Sequence, residues 1–451
     1  IPYGCETLLI ASNAVDGPVL TTSVATVEAV GVVTFPSISF LPRTAGAAND
    51  ITLALTLSAD LAANENVTFV LPGFTGADVA AVTFAAATSD GNPVGAIGSW
   101  TLAGTILSVQ PQRLVDGEKV FSLTVAASNG ISLPAQGLVV NATGFLLSIS
   151  ALLGGVSSLP FSGVAPVGAF SSVSLALPSA SARAPATLVL SWSLNAALVP
   201  GDTVTLTLPG FSGDRIFYLA NISSSSSDFN FSGSWLPAES HLVLTASNAV
   251  SADVSVTITV PLSSGIRVPS AGVASNQAGI LISTDAAAGP SGGVSLSVAP
   301  VGAFLNSSLD FSPRVATADV NLLLRFTLGF AVDAGEEIWV SLPDFRGEDG
   351  PAALVSGQGL GNWTATWAAP LLTFTSINAL ASLSSVLLTV NTSILLPLAG
   401  VLTDEASQLA IGSNAAAGPS AGQPILSVQA VGVFSETSVG FGVAGAQDAR
   451  T

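Results

Sequence analysis

The chain repeats itself, and a repeat of this length confines the fold to an array of similar modules. Val-Gly followed by an apolar stretch stands at Val30-Gly31, Val167-Gly168, Val301-Gly302 and Val431-Gly432, recurring roughly every 134 residues. Between these points other landmarks keep one order. LPGF at Leu71–Phe74 returns at Leu208–Phe211, and as LPDF at Leu342–Phe345. A Gly-x-Trp follows each, ending on Trp100, Trp235 and Trp363. Then come ISLPAQG (Ile131–Gly137), IRVPSAG (Ile266–Gly272) and ILLPLAG (Ile394–Gly400). A turn signature closes the unit as NAVDGP (Asn13–Pro18), DAAAGP (Asp285–Pro290) and NAAAGP (Asn414–Pro419). In the first full repeat only Gly154-Gly155 stands near that place.

Within a repeat the apolar period is two. ITLALTL (Ile51–Leu57), VTLTL (Val204–Leu208) and VSVTITV (Val254–Val260) alternate aliphatic with small polar or hydroxyl residues, as strands with one buried face do. A shift of one residue would reverse the faces. The reading therefore puts Leu53, Leu55, Leu57, Val204, Leu206, Leu208, Val256, Ile258 and Val260 inward, and Thr203, Thr205, Thr257 and Thr259 outward. Turn residues separate the runs, with seven or eight strands to a repeat and no amphipathic helix. The predicted fold is all-β: a tandem array of three antiparallel immunoglobulin-like β-sandwiches with strand-forming terminal extensions. The units run 30–166, 167–300 and 301–430. Residues 1–29 read as closing strands that complete a neighbouring repeat, and 431–451 as the opening strand of a further repeat or a donor strand. A chain beginning at Ile1 and holding no methionine reads as a processed protein or as a segment of something longer. Each Gly-x-Trp indole is expected to fill a core, with an exposed sugar-stacking role as the alternative.

Composition removes several functions. Lysine, histidine and cysteine occur once each (Lys119, His241, Cys5), and the net charge is −18. A Cys/His zinc cluster, a phosphate-binding GxxxxGK[ST] loop and a basic face for nucleic acid are excluded. Half of the residues are apolar, enough to build real cores. The uncharged stretch Val120–Ala182 is broken by Pro134, Pro160, Pro166 and Pro178, so it reads as strands and not as a membrane span. One cysteine gives no disulfide within the chain, and Cys5 is a candidate for pairing with another chain.

No motif points to catalysis. GPSGG (Gly289–Gly293) and GPSAG (Gly418–Gly422) match G-x-S-x-G, but a nucleophile elbow needs a strand-to-helix turn and a histidine base. GQGLG (Gly357–Gly361) has no helix after it. The acidic pairs Glu336-Glu337, Glu348-Asp349 and Asp404-Glu405 do not recur across the units, and read as solvated turns before calcium ligands. No enzyme, cofactor or metal site is expected.

Asn-x-Ser/Thr stands at Asn66, Asn141, Asn221, Asn230, Asn306, Asn362 and Asn391, where chance gives roughly four such sites. Sandwiches this poor in charge have little to keep them soluble or to protect their strand edges, and glycans would supply both. LPGF(T/S)G, the xAAAGP turn and the VGxF opening resemble long, alanine-rich tandem-repeat proteins of unicellular algae and other microbial eukaryotes. That resemblance runs diffusely through the whole chain. It implies extracellular or cell-surface structural material and carries over no catalytic residue. Repeats that touch mainly their neighbours build quasi-one-dimensional objects. The expectation is a subunit of an extracellular glycosylated filament or surface appendage, binding copies of itself head-to-tail through terminal strands. Its partners are those copies and covalent glycans. The alternative is a stalked adhesin or carbohydrate-binding surface protein. Intact mass before and after deglycosylation is expected to show at least three of the seven asparagines occupied, Asn221, Asn230 and Asn362 foremost; an unchanged mass would remove the sugar coat.

Overall fold

A computed structural model describes residues 9–24, 30–226, 228–401, 403 and 408–433. Among them there is no α-helix, and strands are interrupted only by turns, loops and four three-residue 3-10 segments. The apolar residues of alternate positions collect into three separate cores. One runs from Val33 to Val167, a second from Leu175 to Val301, and a third from Phe304 to Val431.

Each core lies between two strand layers. In the first sandwich one sheet has the order Gly163–Val164, Val33–Leu41, Asp50–Leu57, Val120–Val125, Phe84–Ser89, Asn92–Pro93. The other has the order Val156–Pro160, Leu146–Ser150, Asn66–Val70, Ile106–Pro111, Ala96–Thr101. The second sandwich is built likewise from two five-stranded sheets. In the third, the strand Gly350–Ser356 pairs with Trp363–Ala368 through its first residues and with Ser385–Leu395 through its later ones. That crossing joins both layers into one ten-stranded sheet.

The alternation has the register read from the sequence. Leu53, Leu55, Leu57, Val204, Leu206, Leu208, Val256, Ile258 and Val260 are all buried, none more than 5% exposed. Thr203, Thr205, Thr257 and Thr259 lie on the other face, half-buried rather than fully in water. The outer faces carry hydroxyl pairs between the same two strands of every unit. These are Thr52 with Thr124 at 3.2 Å, Ser191 with Thr257 at 2.9 Å, and Thr327 with Ser385 at 3.2 Å. Such cross-strand pairs contribute about 0.2–1 kcal/mol each. Trp100, Trp235 and Trp363 are buried in their cores, so their rings are packing and not sugar platforms.

Two features depart from a purely antiparallel sandwich of seven or eight strands. In every unit a two-residue strand runs parallel to the opening strand: Gly163–Val164 on Val33–Leu41, Ser297–Val298 on Phe170–Ala176, and Ser427–Val428 on Phe304–Ser312. Segments this short have no periodicity to read; they become strands only through the edge they meet. The second feature is the hairpin Leu9–Ser12 with Val19–Ser23. Its pairing, Ile10 with Thr22 and then Ser12 with Val19 past a bulge, is the register of the closing hairpins Leu281–Thr284/Ser291–Ser295 and Ala410–Ser413/Ser420–Pro424. Ile282 and Ile411 are fully buried, whereas Ile10, at the same place in its hairpin, is 63% exposed. No sandwich core among the described residues receives this hairpin. Of the 431–451 segment only Val431–Val433 falls within the described residues.

Leu206→Ala, a cavity in the middle of the second core, should cost about 2–5 kcal/mol. Thr205→Ala, one residue along on the outer face, should cost about 1 kcal/mol or less. Chemical denaturation of the two variants side by side checks the register.

Candidate functional site

The repeated landmarks meet in space where one sandwich gives way to the next. At each boundary the valine of Val-Gly belongs to the sandwich behind it. Val167 exchanges two backbone hydrogen bonds with Leu138, both 2.8 Å; Val301 does so with Val273 at 2.8 and 2.9 Å, and Val431 with Val401 at 2.7 and 2.9 Å. All three valine side chains are buried in the preceding core. The carbonyl of each also fills the space beside Gly137, Gly272 or Gly400, the glycine that ends the LPAQG, VPSAG or LPLAG turn. These glycines hold φ of 73, 78 and 76°, the left-handed region that side chains resist.

The glycine of Val-Gly belongs to the sandwich ahead. Gly168 N–H donates to the Pro290 carbonyl and Gly302 N–H to the Pro419 carbonyl, each at 2.9 Å. A Cβ on Gly168 would overlap the carbonyl oxygen of Gly289, and one on Gly302 that of Gly418. The closing Gly-Pro turn is therefore a seat for the Val-Gly glycine. Its first-unit counterpart is Gly154-Gly155: Gly31 N–H donates to the Gly155 carbonyl at 3.1 Å, and a Cβ on Gly31 would strike Gly154. The proline is dispensable to the seat; the backbone approach is not.

Two more contacts cross the boundaries. Asn195 of the second sandwich accepts from Ala169 N–H at 2.7 Å while its amide nitrogen donates to the Gln136 carbonyl of the first. From the closing hairpin of the second sandwich Gly292 N–H donates to the Arg43 carbonyl of the first, at 2.7 Å. Ala421 of the third repeats this toward Ala180 of the second, at 3.3 Å. Arg43 and Ala180 occupy the same place in their units, thirteen residues past the Val-Gly valine.

Acidic residues work inside the units, in a role the sequence reading did not assign. Glu65, Asp202 and Glu336 stand just before equivalent strands, and each carboxylate accepts from the backbone N–H three residues earlier: Ala62, Val199 and Asp333, at 2.7–2.8 Å. Glu65 and Glu336 reach on to the closing turns, accepting from Leu152 N–H and Ala416 N–H at 2.7 Å. The signal was present as a carboxylate recurring in the turn before each LPGF or LPDF strand. Glu337 accepts from the Asn414 side chain at 3.2 Å, so Glu336-Glu337 braces a turn. Asp349 accepts from Ala369 N–H at 3.1 Å. Asp404-Glu405 lies outside the described residues. Among the described residues no group of three or more His, Cys, Asp or Glu side chains is placed to hold a metal ion.

The asparagines of the seven sequons do not form one cluster. Asn141, Asn221, Asn230, Asn306 and Asn391 are exposed. Asn66 sits on a strand paired on both sides, its amide donating to Thr68 at 3.1 Å and accepting from Ser108 at 2.7 Å. Asn362 is half-buried and accepts from the Asn378 amide at 3.1 Å. Asn391 lies mid-sheet, paired with Asn321 and Ala353. Cys5 lies outside the described residues. His241 begins a strand far from either G-x-S-x-G turn in sequence, and both of those turns are joint seats. No helix among the described residues is long and apolar enough to cross a membrane.

No protein-family model and no curated protein sequence matches the chain. Among solved structures, the type II cohesin dyad from the adaptor ScaA scaffoldin of Acetivibrio cellulolyticus is 10% identical over 50% of this chain and 85% of that one, with a TM-score of 0.16. The Escherichia coli adhesin FdeC is 12% identical over 90% of this chain and 100% of that one, at 0.18. Escherichia coli alpha-2-macroglobulin activated by porcine elastase is 12% identical over 83% of this chain and 31% of that one, at 0.17. Scores this low leave the functional reading to the chain's own geometry.

Gly302→Val should force the second and third sandwiches apart at their seat, at a cost of about 1–3 kcal/mol. Limited proteolysis is expected to cut the variant near residue 302 faster than the parent, with each sandwich still folded.

Proposed function

We propose that the protein is a structural subunit of an extracellular, glycosylated filament or cell-surface appendage, adding head-to-tail to copies of itself through its terminal strand segments. The observation that carries this is the N-terminal hairpin. It has the register of a closing hairpin, yet its apolar residues Leu9, Ile10, Val19 and Leu20 are half or more exposed. An edge and an apolar face left in water are costly, and pairing with another subunit satisfies both. A head-to-tail contact does not close on itself, so it propagates into a filament. The sequons on exposed asparagines suit a sugar coat on such a surface. In this reading the chain works without a reaction, a cofactor or a nucleic-acid partner.

One observation favours the adhesin or carbohydrate-binding alternative. Phe217 and Tyr218 of the second sandwich are 76% and 72% exposed, and the Arg215 guanidinium lies 4.7 Å from the Phe217 ring centroid. The corresponding stretch of the first sandwich holds Ala80 and Ala81. Adjacent exposed rings are what a sugar-binding face needs.

Negative-stain microscopy of the purified protein should show filaments of uniform width, and deletion of residues 1–24 should leave folded single subunits. A protein that stays monomeric at high concentration and binds a glycan array through Phe217 and Tyr218 would overturn the filament in favour of the adhesin.

A further inference from the structure

One outward position breaks the pattern that the three units otherwise share. On the strand that leads into LPGF or LPDF, the residue three before the leucine is Thr68, Thr205 and, in the third unit, Trp339. The residue paired with it on the closing hairpin is Ser148, Ser283 and Gly412. The third sandwich has a ring where the others have a threonine, and no side chain where they have a serine. The two changes fit each other. A Cβ on Gly412 would fall closest to Cζ2 of the indole and nearly as close to Cε2 and Cη2, the two atoms bonded to it. That position is over the face of the ring, since an approach to the rim would leave both neighbours well behind. One strand further, a Cβ on Gly422 would be 2.7 Å from Cη2. The indole therefore lies flat across two strands on a bed of glycine, with its other face turned away from the sheet. Covering a cross-strand glycine strengthens a sheet, and that role uses only the inner face of the ring.

The row that Trp339 begins is polar. Thr373 stands directly across from it, Thr366 across from Thr373, and Pro351 across from Thr366. Thr373 is half-buried and Thr366 exposed, and among the described residues neither hydroxyl is engaged in a hydrogen bond. Neighbouring strands lie about 4.8 Å apart, so ring and hydroxyls follow one another at nearly the length of one pyranose in an extended chain. The corresponding rows of the other units, Thr68 with Ser108 and Ser99, and Thr205 with Val243 and Ser234, hold no ring. In the first of them Ser108 already donates to Asn66. The strands that carry the third row contain no lysine, arginine or histidine, and Glu337, two residues before Trp339, shares its face. Such a face repels anions and suits an uncharged ligand.

We propose that this face of the third sandwich binds an uncharged polysaccharide: an extended chain of β-1,4-linked pyranoses laid across the strands, one sugar stacked on Trp339 and the next two within reach of Thr373 and Thr366. Equatorial hydroxyls leave such a sugar with apolar C–H faces for the indole and a rim of hydroxyls for the threonines. The site lies on a different sandwich from Phe217 and Tyr218, and it goes beyond the filament reading because it needs no contact between copies. A filament of these subunits would carry one such site per subunit and so hold to a carbohydrate wall or matrix along its length.

Isothermal titration calorimetry of the whole chain with cellohexaose and with chitohexaose tests the site. Trp339→Thr combined with Gly412→Ser restores the pair found in the other two units; it should melt like the parent and lose roughly tenfold or more in affinity. Thr366→Val keeps the shape of an exposed side chain and should lose roughly threefold to tenfold. Phe217→Ala with Tyr218→Ala should bind as the parent does. Maltohexaose, glucose in a curved chain, should bind far more weakly than cellohexaose. A parent that binds neither β-linked hexamer, a Trp339 variant of unchanged affinity, or equal binding of maltohexaose overturns the site. None of these outcomes bears on assembly, which microscopy reads separately. If the double variant melts early, Thr366→Val decides, since it alters no buried residue.

Discussion

The array depends on a backbone-to-backbone approach that only glycine permits. A Val-Gly dipeptide has to serve two sandwiches, and it does so by dividing its roles between neighbouring peptide groups. The valine places a side chain in one core and two hydrogen bonds on one edge. The next residue must turn its N–H at once toward the other sandwich, whose closing turn lies so near that a methyl group would enter its carbonyl. With one covalent step between the two commitments, there is no linker to flex. Adjacent sandwiches are coupled through main-chain groups, and the identity of most surface side chains is left free.

That freedom bears on the low charge of the chain. Among the described residues only two ion pairs form, Lys119–Asp90 and Arg314–Asp310, both on exposed side chains where such pairs contribute little. The carboxylates serve the backbone: Glu65, Asp202 and Glu336 take up donors in the turn before a strand, and Glu65 and Glu336 tie that turn to the closing one. Bonds from N–H to an ionised oxygen are stronger than neutral ones, so a few acids can hold each unit's loops without basic partners.

Much of the fold was legible, because a period of two cannot be satisfied by anything but strands, and Leu206 or Ile258 has one face to choose. The LPGF motif was legible as a landmark, but its reason appears only in the backbone. Gly73 and Gly210 hold φ of 79 and 80°, and Asp344 stands at 65° in the third unit, an acidic residue taking a left-handed position. The joint was hidden for a different reason. Val167-Gly168 and Gly289-Pro290 were both evident as repeated words, but some 120 residues separate them, and periodicity carries no information about which words touch. Gly154-Gly155 looked like a decayed turn, yet it makes the same bond to Gly31 as a Gly-Pro does to its glycine. For Asn66 and Asn362 the three-residue sequon says nothing of the hydrogen bonds that already occupy their amides.

The short parallel strand that ends each sandwich has a mechanical meaning. Chain enters a unit at the start of the opening strand, such as Val33–Leu41, and leaves just past the two-residue strand beside it, Gly163–Val164. Because the two run parallel, a pull on the chain drags them past each other along their length. The bonds between them, with Ser162 N–H to Pro36 and Ala165 N–H to Ile38 alongside, are loaded together and not opened one after another. A tether built of such units resists tension by shear, and would stay folded under loads that unzip a simple hairpin.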